Sequence, residues 1–158
     1  MLSSEDKEKL TAQIMRHEGA VRNDAGLHVV YLCSAGARTV GYGHNLDAEE
    51  LPGFGPEPVL SEDQARRLLE RDMEKVAAQL QEALSWWPQL APARQAVLLN
   101  MGFNLGVGGL LLWSNTLGDI RRGSYTRAAR RMRASLWAKQ VKARAVELAE
   151  QMEKGEWL

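Results

Sequence analysis

The 158-residue sequence predicts an α+β, mostly helical fold: a small N-terminal lobe with a β-hairpin or sheet, a long connecting helix and a helical C-terminal lobe. Three observations predict it. A strand-turn-strand pattern runs from Val29 to Tyr42, one capped helical pattern longer than about 20 residues starts at Ser61, and a series of helical patterns follows from Ala91 to Lys154. The length fits a single domain over residues 1–158, with lobes at about 14–60 and 85–158 joined by a helix at about 61–84. At 45% apolar and 25% charged residues, the composition is that of an ordinary globular protein.

The first helix is expected to start at Ser3 or Ser4. Ser3 and Asp6 have capping-box-like spacing, with Asp where Glu or Gln is usual. Leu10, Ile14 and Met15 recur at helical spacing, and Gly19 is the expected stop. Glu18 then lies at the C-terminal edge of the helix, where a negative charge opposes the helix dipole. Such a place calls for a basic partner or a raised pKa, or else leaves a solvated glutamate at a frayed end. Val29–Cys33 and Arg38–Tyr42 read as strands around Ser34-Ala35-Gly36-Ala37, and the Pro- and Gly-rich LPGFGPEP from Leu51 reads as a loop.

Ser61 and Gln64 form a capping box. The helix they start carries Ala65, Leu68, Leu69, Met73, Val76, Ala77 and Leu80 as its apolar stripe and breaks at Trp86-Trp87-Pro88. Ala91–Leu105 is the most continuously apolar helical pattern and the expected centre of the C-terminal lobe. Shorter helices are predicted at about Gly109–Leu112, Thr116–Arg122, Tyr125–Ala134 and Val141–Lys154. Ser114-Asn115-Thr116 and Ser124 are read as caps.

Net charge is zero, but its distribution is not even. Ala91–Arg144 holds ten Lys/Arg and one acid, Asp119, whereas Asn45–Ala83 holds ten acids and four bases. The basic C-terminal half could face an anionic polymer, or simply form a solvated helical surface. One cysteine, Cys33, excludes an internal disulfide. The polar N-terminus lacks the apolar run of a signal peptide and no run approaches a membrane span, so a soluble protein without stable membrane insertion is expected. His17, His28 and His44 show no metal-ligand spacing, and Gly41-Tyr42-Gly43 lacks the third glycine of a dinucleotide loop, so neither metal nor cofactor is expected. The Arg-rich run from Arg121 to Arg133 lacks interleaved aromatics, which argues against nucleic acid as a partner.

Eight pieces in order, from about Lys9 to Trp157, carry a resemblance: His17-Glu18-Gly19; Thr39-Val40-Gly41-Tyr42-Gly43-His44; LSEDQARRLLERD; ARQAVLLNMGFNLG; WSNTL; AARRM; SLWAKQVKARA; and the closing GEW. Together they resemble the phage-type lysozymes, or endolysins, the family that includes the lysozyme of the T-even bacteriophages. The resemblance implies a lysozyme-like fold with a cleft between the lobes. It also implies hydrolysis of the β-1,4 bond between N-acetylmuramic acid and N-acetylglucosamine in peptidoglycan, in the service of host cell lysis.

Through that resemblance Glu18 stands in the place of the general acid and Thr39 in that of the threonine that places the attacking water. The family's aspartate, six residues before that threonine, is replaced here by Cys33. The interval from Glu18 is also longer than usual, so residues 19–31 carry an insertion, and Asp24 within it is an alternative base. His44, Asn104, Ser114, Asn115 and Gln140 correspond to substrate-binding places. Arg144 corresponds to the partner of the catalytic acid, and His44 with Asp72 to an ion pair.

The chemistry needs these residue types. The leaving oxygen must receive a proton, so the acid must be protonated near neutral pH, and an inverting reaction needs a second group on the far face to activate water. Aspartate does this as a carboxylate; cysteine does so as a thiolate or as a weak hydrogen-bond acceptor. Cys33 also fits a small buried hydrophobe. A lytic transglycosylase, which needs the acid but no base, is the alternative within enzymes, and a non-catalytic peptidoglycan-binding module is the alternative outside them. The expected partners are glycan strands and a holin that opens the way to the wall; the protein is expected to act as a monomer held in the host cytoplasm until release.

Overall fold

The structure, a computed structural model, describes residues 2–158. Among the described residues the chain forms eight α-helices, a short 3-10 helix and a three-stranded antiparallel sheet, the expected α+β, mostly helical class. The chain divides into two compact units. One is formed by Thr11–Glu74, the other by Met1–Leu10 together with Lys75–Leu158. The division falls inside helices rather than in loops, so α1 (Ser4–Glu18) and α2 (Glu62–Ala83) each contribute to both units.

Helix α1 begins where expected. Ser3 Oγ accepts from the Asp6 amide at 3.1 Å and donates to the Asp6 carboxylate at 2.7 Å, so Asp substitutes for the usual Glu by bonding the hydroxyl instead of the cap's own amide. The sheet consists of β1 (Tyr31–Leu32), β2 (Arg38–Val40) and β3 (His44–Asn45). The first two are shorter than their sequence patterns. β3 was not anticipated, because two polar residues carry no strand signal; it forms because Gly41, at φ +65°, and Gly43, at φ +85°, fold the chain straight back onto β2. Gly41 also leaves room for α2: a Cβ there would meet the Ala65 Cβ at 3.4 Å.

The inserted segment makes its own small turn ahead of the hairpin. The Asn23 side chain accepts from the amides of Ala25 and Leu27, Arg22 bridges His28, and His28 bridges Leu60. Ser61 caps α2 reciprocally with Gln64, at 3.1 and 2.9 Å.

In the other unit, α3 (Pro92–Leu105) is the buried centre. Ala96, Val97, Leu98 and Met101 are fully buried there, along with Ile120, Met132, Leu148 and Met152 from the helices that follow. Those helices are α4 (Val107–Leu111), α5 (Ser114–Arg121), α6 (Tyr125–Arg133), α7 (Leu136–Val141) and α8 (Ala143–Lys154). Buried Gln95 fastens the 3-10 turn at Trp87–Gln89 to α3 by donating to the carbonyls of Pro88 and Leu90. Two sequence readings are corrected here. Ser114-Asn115-Thr116 is not a cap but the first turn of α5, whose N-cap is Trp113. The final helix starts at Ala143, and the residues before it form the separate α7, capped by the Ser135 hydroxyl at 3.1 Å from the Ala138 amide.

Candidate active site

Within the unit of residues 11–74, Glu18 is the last residue of α1, and the Gly19 amide closes that helix on the Met15 carbonyl at 3.0 Å. Gly19 adopts φ +63°, a left-handed stop that a residue with a Cβ adopts only under strain. Glu18 is half-buried.

Cys33 opens the β1–β2 turn. Its amide donates to the Ala37 carbonyl at 3.0 Å, and its carbonyl accepts from the Gly36 amide at 2.8 Å, with Gly36 at φ +80°. Thr39 follows on β2, buried, its hydroxyl donating to the Ala37 carbonyl at 2.9 Å. Burial works against ionising the Cys33 thiol, but the amides of Ala37 and Ala35 and then the Thr39 hydroxyl favour the thiolate more, and the group is held below its ordinary value of 9.0. The Thr39 hydroxyl has one proton, so donation to Ala37 and donation to an ionised sulfur are alternatives. Cys33 and Thr39 thus stand on the two arms of one tight hairpin, with the Thr39 hydroxyl among the groups that favour the thiolate.

Tyr31, on β1, was missed in the sequence as a site residue. It is half-buried, and burial first, then the negative charges of Glu18 and Cys33, raise its phenol above the ordinary 10.0. Tyr31 is thus within electrostatic reach of both residues. Asp24, the alternative base, is exposed in the Asn23–Gly26 turn of the insertion.

His44 is 5% exposed, and both ring nitrogens are engaged: Nδ1 with the Asp72 carboxylate at 2.7 Å and Nε2 with the Glu49 carbonyl at 2.9 Å. Both partners are acceptors, so both nitrogens donate and the ring is an imidazolium. Burial opposes this charge, but the Asp72 hydrogen bond and charge, with the Glu49 carbonyl, outweigh it and raise the pKa above 6.5. The ion pair implied by the resemblance is present, and it leaves no ring nitrogen for a ligand.

A second polar cluster pins the insertion to α2. Arg22 donates to the Tyr42 hydroxyl and to Glu62, each at 2.9 Å; Tyr42 also donates to Glu62, as does the fully buried His28 at 2.9 Å. The Tyr42 hydroxyl is the largest influence holding the Glu62 carboxyl down to about 2, with His28 and Arg22 adding to it.

Within the other unit, Arg144 is buried and its guanidinium gives two hydrogen bonds to Asn100 Oδ1, at 3.0 and 2.7 Å. Asn104 accepts from the indole of Trp137 at 2.7 Å, and Trp137 stacks edge-on with Trp113 at 5.5 Å. Ser114 and Asn115 are exposed on the first turn of α5, and Gln140 is exposed on α7.

Residues 22–152 match the family described as phage lysozyme, a span that begins just after Glu18. The chain is also 28% identical over 145 residues to the pre-baseplate central spike protein Gp5 of Enterobacteria phage T4. That alignment covers 79% of this chain and 25% of the spike protein, so the chain spans about a quarter of that relative's length. The family match takes in the hairpin, α2 and nearly all of the helical unit, and the chain belongs to the phage lysozyme family.

Proposed function

We propose that the protein is an endolysin that hydrolyses the β-1,4 bond between N-acetylmuramic acid and N-acetylglucosamine in peptidoglycan, with Glu18 as proton donor and Cys33 and Thr39 as the pair that binds and activates water. A peptidoglycan-lytic, lysozyme-type role comes with the family. The observation that carries the finer reading is the hairpin that sets Cys33 against Ala37 and Thr39 two residues further along the facing strand, in surroundings that favour the thiolate.

In this reading Glu18 passes its proton to the leaving sugar oxygen as the glycosidic bond breaks. Water attacks the anomeric carbon from the opposite face and yields its proton to the Cys33 thiolate, oriented by Thr39, so the configuration inverts. Glu18 ends as a carboxylate and Cys33 as a thiol, and proton exchange with solvent resets both. The protein acts as a monomer on glycan strands, and it waits in the host cytoplasm until a holin-type partner opens the membrane.

Glu18→Gln tests the reading. The amide keeps the shape but has no proton to give, so the variant should fold and lose wall lysis by at least about a hundredfold. Activity equal to the wild type would sink it. The absence of a carboxylate at position 33 favours one rival, the lytic transglycosylase. Product analysis decides: reducing muramic acid ends mark hydrolysis, whereas anhydro ends mark the transglycosylase. The spike protein among the relatives suggests a second setting, wall opening at infection instead of at release; finding the protein in purified virions would favour it.

A further inference from the structure

We propose that Tyr31 is a positioning residue for this site, its ring closing one side of the Cys33–Thr39 pair and its hydroxyl offering a hydrogen bond to the anionic member of the Glu18–Cys33 couple. The proposal rests on the hydrolytic reading above and adds a residue to it.

The register carries the argument. Tyr31 lies directly opposite Thr39 in the antiparallel β1–β2 pair, so the two side chains stand on the same face of the hairpin at the separation of cross-strand neighbours. Alternation along β1 returns the chain to that face at Cys33, two residues on, while the intervening Leu32 points the other way and is 68% exposed. The strand thus places a half-buried phenol beside both members of the water-activating pair, and Glu18 acts on it from the end of α1. The charged and ionisable groups that act on the phenol are Glu18 and Cys33, and both oppose its ionisation. Tyr31 therefore remains a neutral phenol at working pH and brings a donor without bringing a charge. A third anion would favour the protonated form of both groups; a neutral donor instead favours the carboxylate that Glu18 becomes and the thiolate that Cys33 must be before water attacks.

Removing the donor should raise the pKa of Cys33, which then ionises at higher pH and moves the acidic limb of the activity profile up. Tyr31→Phe keeps the ring. On soluble glycan oligomers its kcat should fall about tenfold or more, with KM little changed and the acidic limb of the pH profile displaced to higher pH. The midpoint pH for alkylation of Cys33 should rise in parallel, and this can be read without any turnover. Site-specific 3-fluorotyrosine at position 31, a nearly isosteric and stronger donor, should move the profile and the alkylation midpoint to lower pH and guards against a folding defect in the Phe variant. An unmoved acidic limb and an unmoved midpoint in both variants would overturn the proposal, even if kcat fell, because a packing role alone predicts that pattern. Glu18→Gln keeps the two ideas separable: if it is inactive while the Tyr31 variants leave the pH behaviour unchanged, only this proposal fails, and if it stays active the underlying reading fails.

Discussion

Cys33 occupies a turn position that favours a hydrogen-bond acceptor. The backbone amides of Ala35 and Ala37 favour the ionised form of its side chain, and an aspartate carboxylate satisfies turn amides in the usual way of Asx turns. A thiolate can take the same place, which explains how the hairpin keeps its form without the carboxylate. The Cys33→Asp variant should therefore fold and remain active, whereas Cys33→Ala and alkylation of the wild-type thiol should each cut the rate by at least about tenfold. Asp24→Ala should change little. Full rate in Cys33→Ala together with loss in Asp24→Ala would move the base to the insertion. At this scale the placement of Cys33 and Thr39 on the two arms of one hairpin was legible, because five intervening residues around a glycine-containing turn leave few ways to join two strands. Tyr31 was not: an aromatic residue in a strand reads as packing, and only the register shows which face it shares.

The His44–Asp72 pair joins β3 to α2, with 5% and 14% of the two side chains exposed. The folded state raises the histidine pKa, so the pair's contribution is fully present below the ordinary value of 6.5 and is lost as pH rises through the folded pKa. Asp72→Asn should cost about 3 kcal/mol near pH 6 and progressively less in alkaline solution, as followed by urea denaturation across that range. A stability difference independent of pH would reject the pair as the cause. The same elements mark the limits of pattern reading. The apolar stripe and capping box of α2 announced its start and length, because propensity and burial agree there. β3 and α7 went unread, since the first depends on two glycine turns and the second on a single hydroxyl, Ser135, within a continuous helical pattern.

Charge is a property of the whole molecule, and here it is divided between structural and available groups. Arg122 and Arg131 both grip Asp119, whose side chain is 0% exposed, at 2.7 Å each, and so belong to the fold of α5 and α6. Arg121, Arg127 and Arg130 are exposed on the same helices and are the ones to neutralise. Replacing these three with Gln should weaken lysis of whole cells at least severalfold at low salt, with the difference shrinking as salt rises, and should leave cleavage of soluble uncharged oligomers nearly unchanged. Equal losses on both substrates would indicate a damaged fold instead. The chain's two units also differ in how their residues are drawn from the sequence. Thr11–Glu74 is one continuous stretch, but the other unit needs the first turns of α1 as well as everything after Glu74, and the Trp157 indole reaches back to Asp6 at 3.0 Å across 151 positions. During translation the continuous stretch can therefore mature while the ribosome is still at work. Asp6 must wait for Trp157 to emerge before this distant partner exists, so the larger unit is completed only after nearly all of its sequence has been made.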